Sequence, residues 1–226
     1  MFENKHLGET CIIIGNGPSL NDIPLELLNA YPTFGTNRIY LMENFTPSYY
    51  VSVNPLVIEQ SIEEINKLQA GAKFIRHTLA DKIDGAHPLR SGGFWTFSKE
   101  PDNYVFEGYT VTYVCMQLAY WMGFQTVLLV GVDHYFDVKG APNEQQVAEG
   151  KDKNHFSLDY FADGAVWNLP DLDNSERAYN IAKRVFEKAG RRIINLTTKT
   201  ALDIFTKDDY HNWLPYPEQD DEPCQE

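Results

Sequence analysis

The sequence has few cysteines, few basic residues and no long apolar run. Only three cysteines occur in 226 residues, and their positions show neither a disulfide framework nor metal-ligand spacing, which favours a reducing compartment. No segment approaches the roughly 18 to 20 continuous apolar residues that a membrane helix needs. Residues 1–5 lack the basic and apolar regions of a signal peptide. We therefore expect a cytoplasmic protein without an integral membrane segment.

Basic residues are outnumbered by acidic ones, 19 against 32, which gives a formal net charge of −13. Nucleic acids and anionic membranes bind to basic surfaces, so neither is expected as a partner. Seven of the acids and three prolines follow Lys207, with no lysine or arginine among them. This composition predicts an acidic, solvated tail over residues 208–226. The overall hydrophobic content of 43% is sufficient for one nucleotide-binding domain over residues 1–207.

Short apolar runs rich in β-branched residues alternate with longer segments of helical period. This alternation is typical of βα units around a parallel sheet. It predicts an α/β fold with an open, mostly parallel, Rossmann-like sheet flanked by helices. The expected strands cover residues 11–14, 33–35, 49–53, 73–75, 126–130 and 192–194.

Apolar residues at helical spacing predict one helix over residues 58–68, a second over 114–122 and a third over about 175–189. The third helix is expected to begin with a capping box formed by Asp173 and Glu176. Residues 136–170 break the alternation, because polar and aromatic side chains follow one another there without a period. A stretch of this length predicts a lid-like insertion that folds over a ligand.

Polar residues stand at the points where the expected strands end. In an open parallel sheet, ligands bind beyond the carboxyl ends of the strands. The residues at these ends are Gly15, Asn16 and Gly17, then Thr36 and Asn37, Asn54, Asp133, and Asn195. Five polar strand ends at one edge predict a shared ligand crevice.

The turn Gly15-Asn16-Gly17-Pro18-Ser19 is a candidate phosphate site. Its two glycines allow a tight turn and close backbone approach, Pro18 rigidifies the exit, and Ser19 offers a hydroxyl. Several N–H groups of the turn are therefore expected to point at one anion. The run is neither the dinucleotide fingerprint nor a P-loop. A purely structural turn is the alternative.

Four further residues are candidates for binding or catalysis. Asn37 and Asn54 offer paired donors and acceptors to a ribose hydroxyl or a pyrimidine edge, although either side chain can instead cap a helix. Asp133 ends the most apolar strand, where a carboxylate has to be hydrogen-bonded, metal-bound or solvated in a cleft. His155 in the insertion is a candidate general base or phosphate contact, or else a surface histidine. No metal-ligand cluster is recognisable, so no metal site is predicted.

Several short motifs, taken together, resemble known families. They are Cys-Ile-Ile-Ile-Gly-Asn-Gly-Pro-Ser-Leu (11–20), Gly-Thr-Asn-Arg (35–38), Val-Asn-Pro (53–55), Gly-Val-Asp (131–133), Asn-His-Phe (154–156) and Asn-Leu-Thr (195–197). The first four resemble bacterial CMP-sialic acid-dependent sialyltransferases of the lipooligosaccharide type. The whole set resembles the domain family shared by flagellin-glycosylating motility accessory proteins and archaeal 6-hydroxymethylpterin pyrophosphokinase.

The resemblance implies roles for residues at matching positions. Asn16 and the turn around it would contact the phosphate and sugar of a nucleotide, and Asn37 and Asn54 would contact the nucleotide or donor. The helix start from Thr110 to Thr112 would be another donor contact. In the sialyltransferases the lid histidine that acts as general base follows an earlier His-aromatic pair, and here that later position falls near Asp159. Either His155 or Asp159 is therefore the expected base, with Asp133 as a further catalytic candidate.

The resemblance also implies the reaction. The first expectation is a transferase, namely a glycosyltransferase that uses a CMP-activated sialic acid-like donor and needs no other cofactor. The alternative is a Mg²⁺-dependent ATP:hydroxymethylpterin pyrophosphokinase, with the metal on Asp133 and on Asp137 or Asp159. A non-catalytic nucleotide-binding protein is the third hypothesis. The acceptor, a small molecule or a glycan, and a homo-oligomeric state stay open.

Overall fold

A computed structural model of the protein describes residues 1–93 and 96–215. Residues 216–226 of the predicted acidic tail, Cys224 among them, lie outside these ranges, and so do Phe94 and Trp95. Within the described ranges, Leu214 is buried in the core. No helix in them is long and apolar enough to cross a membrane.

Eight parallel strands form one open sheet in the described part of the chain, in the order β12-β11-β8-β1-β2-β3-β4-β5. The strands are β1 (Thr10–Ile14), β2 (Thr33–Thr36), β3 (Tyr49–Ser52), β4 (Ala72–Arg76), β5 (Ala86–Leu89), β6 (Ser91–Gly92), β7 (Val105–Phe106), β8 (Thr126–Val130), β9 (Gln145–Val147), β10 (Val166–Asn168), β11 (Arg192–Asn195) and β12 (Thr206–Lys207). Two short pairs, β6 with β7 and β9 with β10, lie outside this sheet. The predicted α/β fold with an open, Rossmann-like parallel sheet is confirmed.

The helices are α1 (Pro55–Glu59), α2 (Ile62–Lys67), α3 (Val111–Trp121) and α4 (Leu172–Lys188). Short 3-10 helices cover Pro18–Asp22, Leu25–Ala30, Ile39–Leu41, Ala80–Lys82 and Tyr210–Asn212.

The single helix expected over residues 58–68 is in fact two helices, so that prediction was wrong. The N–H of Ser61 bonds the carbonyl of Ile58 at 3.1 Å, a tight turn that ends α1. The carbonyl of Ser61 then accepts the N–H of Ile65 at 2.9 Å and starts α2. Apolar spacing alone does not detect this break, because both helices bury the same side of the segment.

Helix α4 begins earlier than its expected capping box. Its cap is Asp171, whose side chain accepts the N–H of Asn174 at 3.1 Å. Asp173 therefore lies inside the first turn, where the positive end of the helix dipole stabilises its carboxylate. The sequence offers two acids two residues apart, and the structure uses the earlier one.

The sheet is buried on both faces, which explains why its strands are almost continuously apolar. Cys11 and Ile13 of β1 point to one face, where α3 and α4 supply much of the packing. Ile12 and Ile14 point to the other face, which the 3-10 helices and α1 and α2 cover. Burial of apolar surface on both faces holds β1 at the centre and fixes the sheet edge from which the site is built.

The insertion, residues 136–170, folds over the carboxyl edge of the sheet. Its strands β9 and β10 form an antiparallel pair. The N–H of Phe156 donates to the carbonyl of Asn16 at 2.9 Å, and Asn21 Nδ2 donates to the carbonyl of Phe156 at 2.8 Å. Gln60 Nε2 also donates to the carbonyl of Val166 at 2.9 Å. The insertion is thus attached both to the turn after β1 and to the end of α1.

Candidate functional site

The site lies between β1 and β8, at the point where the order of strand addition along the sheet reverses. Strands β2 to β5 lie on one side of β1, whereas β8, β11 and β12 lie on the other. Gly15 and Gly131 end these two strands, and a Cβ on Gly15 would collide with the carbonyl of Gly131. Such a switch point is where open α/β sheets bind ligands.

A cavity of about 160 Å³ opens at this point and gathers most of the predicted residues. Those that line it are Gly15, Asn16, Gly17, Asn37, Thr110, Thr112, Asp133 and His155. Two adjoining cavities of about 460 and 130 Å³ share Asn37 with it and add Asn54. Four of the five predicted strand ends therefore meet in one cleft, which we call the central cleft. The fifth, Asn195, does not line it, because its side chain is buried and bonds to the carbonyl of Leu202 and the N–H of Thr197.

Two of the predicted binding and catalytic residues, Ser19 and Asp159, do not line the central cleft. Ser19 is buried and bonds to Asp133. Asp159 is exposed, and its N–H donates to Ser157 Oγ at 3.3 Å. Of the two candidates for the base, His155 alone borders the space in which a ligand would lie.

The turn after β1 does not offer the converging N–H groups that its sequence predicts, and that prediction needs correcting. The N–H of Gly15 bonds the carbonyl of Val130 and that of Gly17 bonds the carbonyl of Gly131, both at 2.8 Å. The N–H of Ser19 donates to Asp133 Oδ2 at 3.0 Å. These three donors hold the turn against the end of β8, so an anion cannot use them without breaking bonds inside the protein.

Asn16 presents an acceptor to the central cleft. Its Nδ2 donates to the carbonyl of Thr36 at 3.2 Å and to Thr36 Oγ1 at 2.9 Å. A carbonyl can only accept, so this contact fixes which end of the amide is nitrogen. Oδ1 is buried and has no partner among the described residues. A ligand hydroxyl or amine would satisfy it, whereas a phosphate oxygen would not.

Asp133 holds the turn after β1 in place by accepting two hydrogen bonds from Ser19. One of its oxygens accepts the hydroxyl of Ser19 and the other accepts the N–H of Ser19. Burial raises the pKa of the Asp133 carboxyl above its ordinary value, and the two bonds from Ser19 oppose that rise. Both oxygens are therefore already engaged, and the side chain supports the shape of the cleft.

The two predicted asparagines are held differently. Asn54 caps α1, because its Oδ1 accepts the N–H of Leu56 at 3.0 Å, as the structural alternative expected. Asn37 has a left-handed backbone with a φ of 49°, which asparagine tolerates better than most residues. Its Oδ1 accepts a bond from Ser52 Oγ at 3.3 Å. The amide nitrogens of both residues remain as donors for a ligand.

Two helices begin at the central cleft. Thr110 caps α3 by accepting the N–H of Thr112 at 3.3 Å, and Thr110, Val111 and Thr112 all line the cavity. Leu172 and Ser175, in the first turns of α4, line it as well. Helix N-termini carry partial positive charge and favour bound anions.

His155 is paired with a carboxylate that sequence reasoning missed. Its Nδ1 lies 2.8 Å from Asp152 Oδ2, and both side chains are almost buried, 11% and 7% exposed. The imidazole stacks on Tyr160 with 3.8 Å between ring centroids. Burial alone would raise the pKa of Asp152, but the interactions with His155 and the N–H of Asn154 together outweigh it and lower that pKa. Because a carboxylate only accepts, Nδ1 carries the proton and Nε2 keeps the lone pair of a base.

His134 and Tyr179 also line the cavity and were not among the predicted site residues. His134 follows Asp133 directly, so its place beside a strand end was a usable signal. Asp152 precedes His155 by three residues, a spacing that becomes informative only when the backbone of the insertion brings the two side chains together. Tyr179 comes from the middle of α4, and nothing in its local sequence distinguishes it from a core residue.

A family described as 6-hydroxymethylpterin diphosphokinase MptE-like matches residues 1–139. The match spans more than half of the chain, and the protein belongs to this MptE-like family. The matched range contains the turn after β1, both asparagines, the start of α3 and Asp133, and it ends before His155. No curated protein matches the chain in sequence.

Two solved structures share the fold, and both are of the sialyltransferase CstII from Campylobacter jejuni. The one in complex with the substrate analogue cytidine-5'-monophosphate is 15% identical, with a TM-score of 0.54 over 89% of this chain and 85% of that one. The one in complex with CMP-3FNeuAc is 16% identical, with a TM-score of 0.52 over 92% and 86% of the two chains. At this identity the likeness concerns the fold.

Proposed function

We propose that the protein is a glycosyltransferase that takes a sialic acid-like sugar from a CMP-activated donor and gives it to an acceptor hydroxyl. The observation that carries this proposal is the His155–Asp152 pair at the central cleft, in which Asp152 takes Nδ1 and leaves Nε2 as the basic nitrogen. The structural neighbours are complexes with CMP and CMP-3FNeuAc, which supports a cytidine nucleotide as the ligand of this fold. The chain's membership of a family described as a diphosphokinase agrees with group transfer from a nucleotide.

The reaction follows from the placement of these groups. His155 Nε2 takes the proton of the acceptor hydroxyl while that oxygen attacks the anomeric carbon of the donor sugar. The bond from that carbon to the phosphate oxygen breaks, and CMP leaves with the electron pair. Asp152 holds the ring in the tautomer that leaves Nε2 free and stabilises the imidazolium that forms. The N-terminus of α3, which has no acid in its first turn, supplies fixed positive charge where the phosphate gains negative charge.

A second candidate function is ATP-dependent transfer of pyrophosphate to a hydroxymethylpterin, which the description of the family favours. That reaction would require Mg²⁺, which binds oxygen ligands and commonly takes one or two carboxylates. Asp133 lines the cavity but offers a metal only the second lone pair of each oxygen, because Ser19 already bonds to both. Asp137 and Asp159 are exposed, and neither lines the central cavity.

The proposal is tested by measuring CMP release from CMP-N-acetylneuraminic acid in the presence of EDTA, with and without a panel of sugar acceptors. We expect turnover by the wild type, and a loss of roughly 10²- to 10⁴-fold in His155→Gln, the contribution of a positioned general base. Asp152→Asn should lower the rate within the same range. The affinity for CMP should change little in either variant, since the base acts on the acceptor.

The matched control is His211→Gln. His211 also has its Nδ1 bonded to an aspartate, Asp209 at 2.6 Å, but both side chains are more than half exposed. This variant should keep the wild-type rate. Wild-type turnover in His155→Gln would remove the base from the mechanism. Release of AMP from ATP and Mg²⁺ with a hydroxymethylpterin, and no release of CMP, would select the second candidate.

A further inference from the structure

The central cavity has little positive charge with which to meet a phosphate. Among the described residues that line it there is no lysine or arginine, and its ionisable nitrogen groups are His134 and His155. The N–H groups of Gly15, Gly17 and Ser19 are engaged within the protein. Partial positive charge therefore comes from the N-terminus of α3, since Asp171 and Asp173 occupy that of α4, and a full positive charge requires a protonated histidine.

His134 is fixed at the wall of this cavity beside α4. Its backbone is left-handed, with a φ of 54°, a conformation that histidine adopts more readily than most residues. Its side chain is 6% exposed, and Nε2 lies 3.2 Å from Glu176 Oε1. Its ring centroid lies 6.0 Å from that of Tyr179. Local strain held by surrounding contacts at a cavity wall is typical of functional positions.

The bond to Glu176 determines what the other ring nitrogen can do. An ionised carboxylate only accepts, so Nε2 carries a proton, and Nδ1 carries one only when the ring is an imidazolium. The groups around the ring are Glu176, Asp173 and Tyr179 of α4, the adjacent Asp133, and His155 across the cavity. Burial lowers the pKa of His134 more than Glu176 and Asp173 raise it, so the neutral ring is favoured without a bound anion. A bound phosphate would raise this pKa and favour the imidazolium.

We propose that His134 binds the phosphate of the nucleotide, donating a hydrogen bond from Nδ1–H as an imidazolium. This assignment rests on the proposed function, in that it requires a nucleotide in the central cavity, but it holds for a cytidine or an adenine nucleotide alike. It gives the two histidines separate tasks. His155, on the insertion, acts on the acceptor, and His134, at the end of β8, neutralises the donor phosphate. Binding then takes up one proton from solvent.

The test compares each nucleotide with its own nucleoside. Calorimetry would measure the binding of CMP, cytidine, ATP with Mg²⁺ and adenosine to the wild type, His134→Asn and Glu176→Gln. Asparagine accepts the left-handed backbone, which limits damage to the fold. We expect His134→Asn to weaken nucleotide binding roughly 10- to 100-fold, as for the loss of a charged hydrogen bond, and to leave nucleoside binding unchanged. Glu176→Gln should cause a smaller loss of the same kind.

Proton uptake gives an independent readout. In two buffers of different ionisation enthalpy, the wild type should take up a proton with the nucleotide, and His134→Asn should take up less. The advantage of the wild type over His134→Asn should also shrink from about pH 6 to about pH 8.5, as the imidazolium is lost.

The binding results distinguish a phosphate contact by His134 from a purely structural role. Equal losses for nucleotide and nucleoside would show that His134 only shapes the cavity, and no loss for either would also overturn the assignment. If the wild type and His134→Asn bound the nucleotide with equal affinity, this inference would be overturned and the proposed function would stand. Absence of binding by all four ligands to the wild type would overturn both.

Discussion

Gly17 and Asp133 approach so closely that the turn after β1 has no room for a side chain. The φ of Gly17 is −69°, which any residue can adopt, so glycine is needed here for space. A Cβ at this position would collide with the carboxyl group of Asp133. The sequence predicted a glycine-dependent turn correctly. It did not reveal that the close neighbour is a carboxylate, because that residue lies over a hundred positions away.

Gly17→Ala should therefore disrupt the central cleft. The new methyl group has to displace Asp133 or the turn, and overpacking of this kind costs about 1–3 kcal/mol of stability. Binding of CMP should be lost or strongly weakened, as measured by calorimetry at a temperature where the variant is folded. Gly71→Ala is the control, since its Cβ would crowd the carbonyl of Ser48 just before the start of β4, away from the central cleft. Equal affinities for CMP in the two variants would contradict the role of Asp133 in holding the turn.

At the scale of elements, the insertion is the part that sequence patterns describe least. Its length and aromatic content predicted a segment that folds over a ligand, but neither the β9–β10 pair nor the Asp152–His155 pair could be read from it. Both depend on contacts that the chain makes only after it has folded back. Six of the eight sheet strands, by contrast, were predicted to within one residue at each end, because burial on both faces makes them continuously apolar. The edge strands β5 and β12 were not predicted, because they are more exposed and lack such an apolar run.

Asn21→Ala should loosen the insertion without unfolding the domain. It removes the hydrogen bond to the carbonyl of Phe156, whose N–H is itself bonded to Asn16. A bond of this kind contributes about 0.5–1.5 kcal/mol, so amide hydrogen exchange over residues 154–156 should accelerate roughly 2- to 12-fold. Exchange in β1 and β8 should stay the same.

Asn103→Ala is the matched control for this measurement, because Asn103 Nδ2 bonds the exposed Glu100 at 3.0 Å, away from the insertion. It should leave exchange over residues 154–156 at the wild-type rate. If Asn21→Ala gave no acceleration either, the attachment of the insertion through Phe156 would carry no free energy.

At the scale of the whole molecule, a net charge of −13 is combined with a cleft for which we propose an anionic ligand. The N-terminus of α3 and two histidines lie at this cleft, and no lysine or arginine does among the residues described there. The fold class was predictable from the alternation of strands and helices. The source of the positive charge was not, because helix N-termini and the orientation of a histidine follow from the assembled structure.

The most direct test of the account is a thermal unfolding series with CMP and with ATP, each with and without Mg²⁺, on the wild type and Gly17→Ala. The account predicts that CMP stabilises the wild type without metal, by about 2.7 kcal/mol at 100 times Kd, and that this stabilisation disappears in Gly17→Ala. No stabilisation by CMP, or the same stabilisation in Gly17→Ala, would contradict the placement of a cytidine nucleotide in the central cleft.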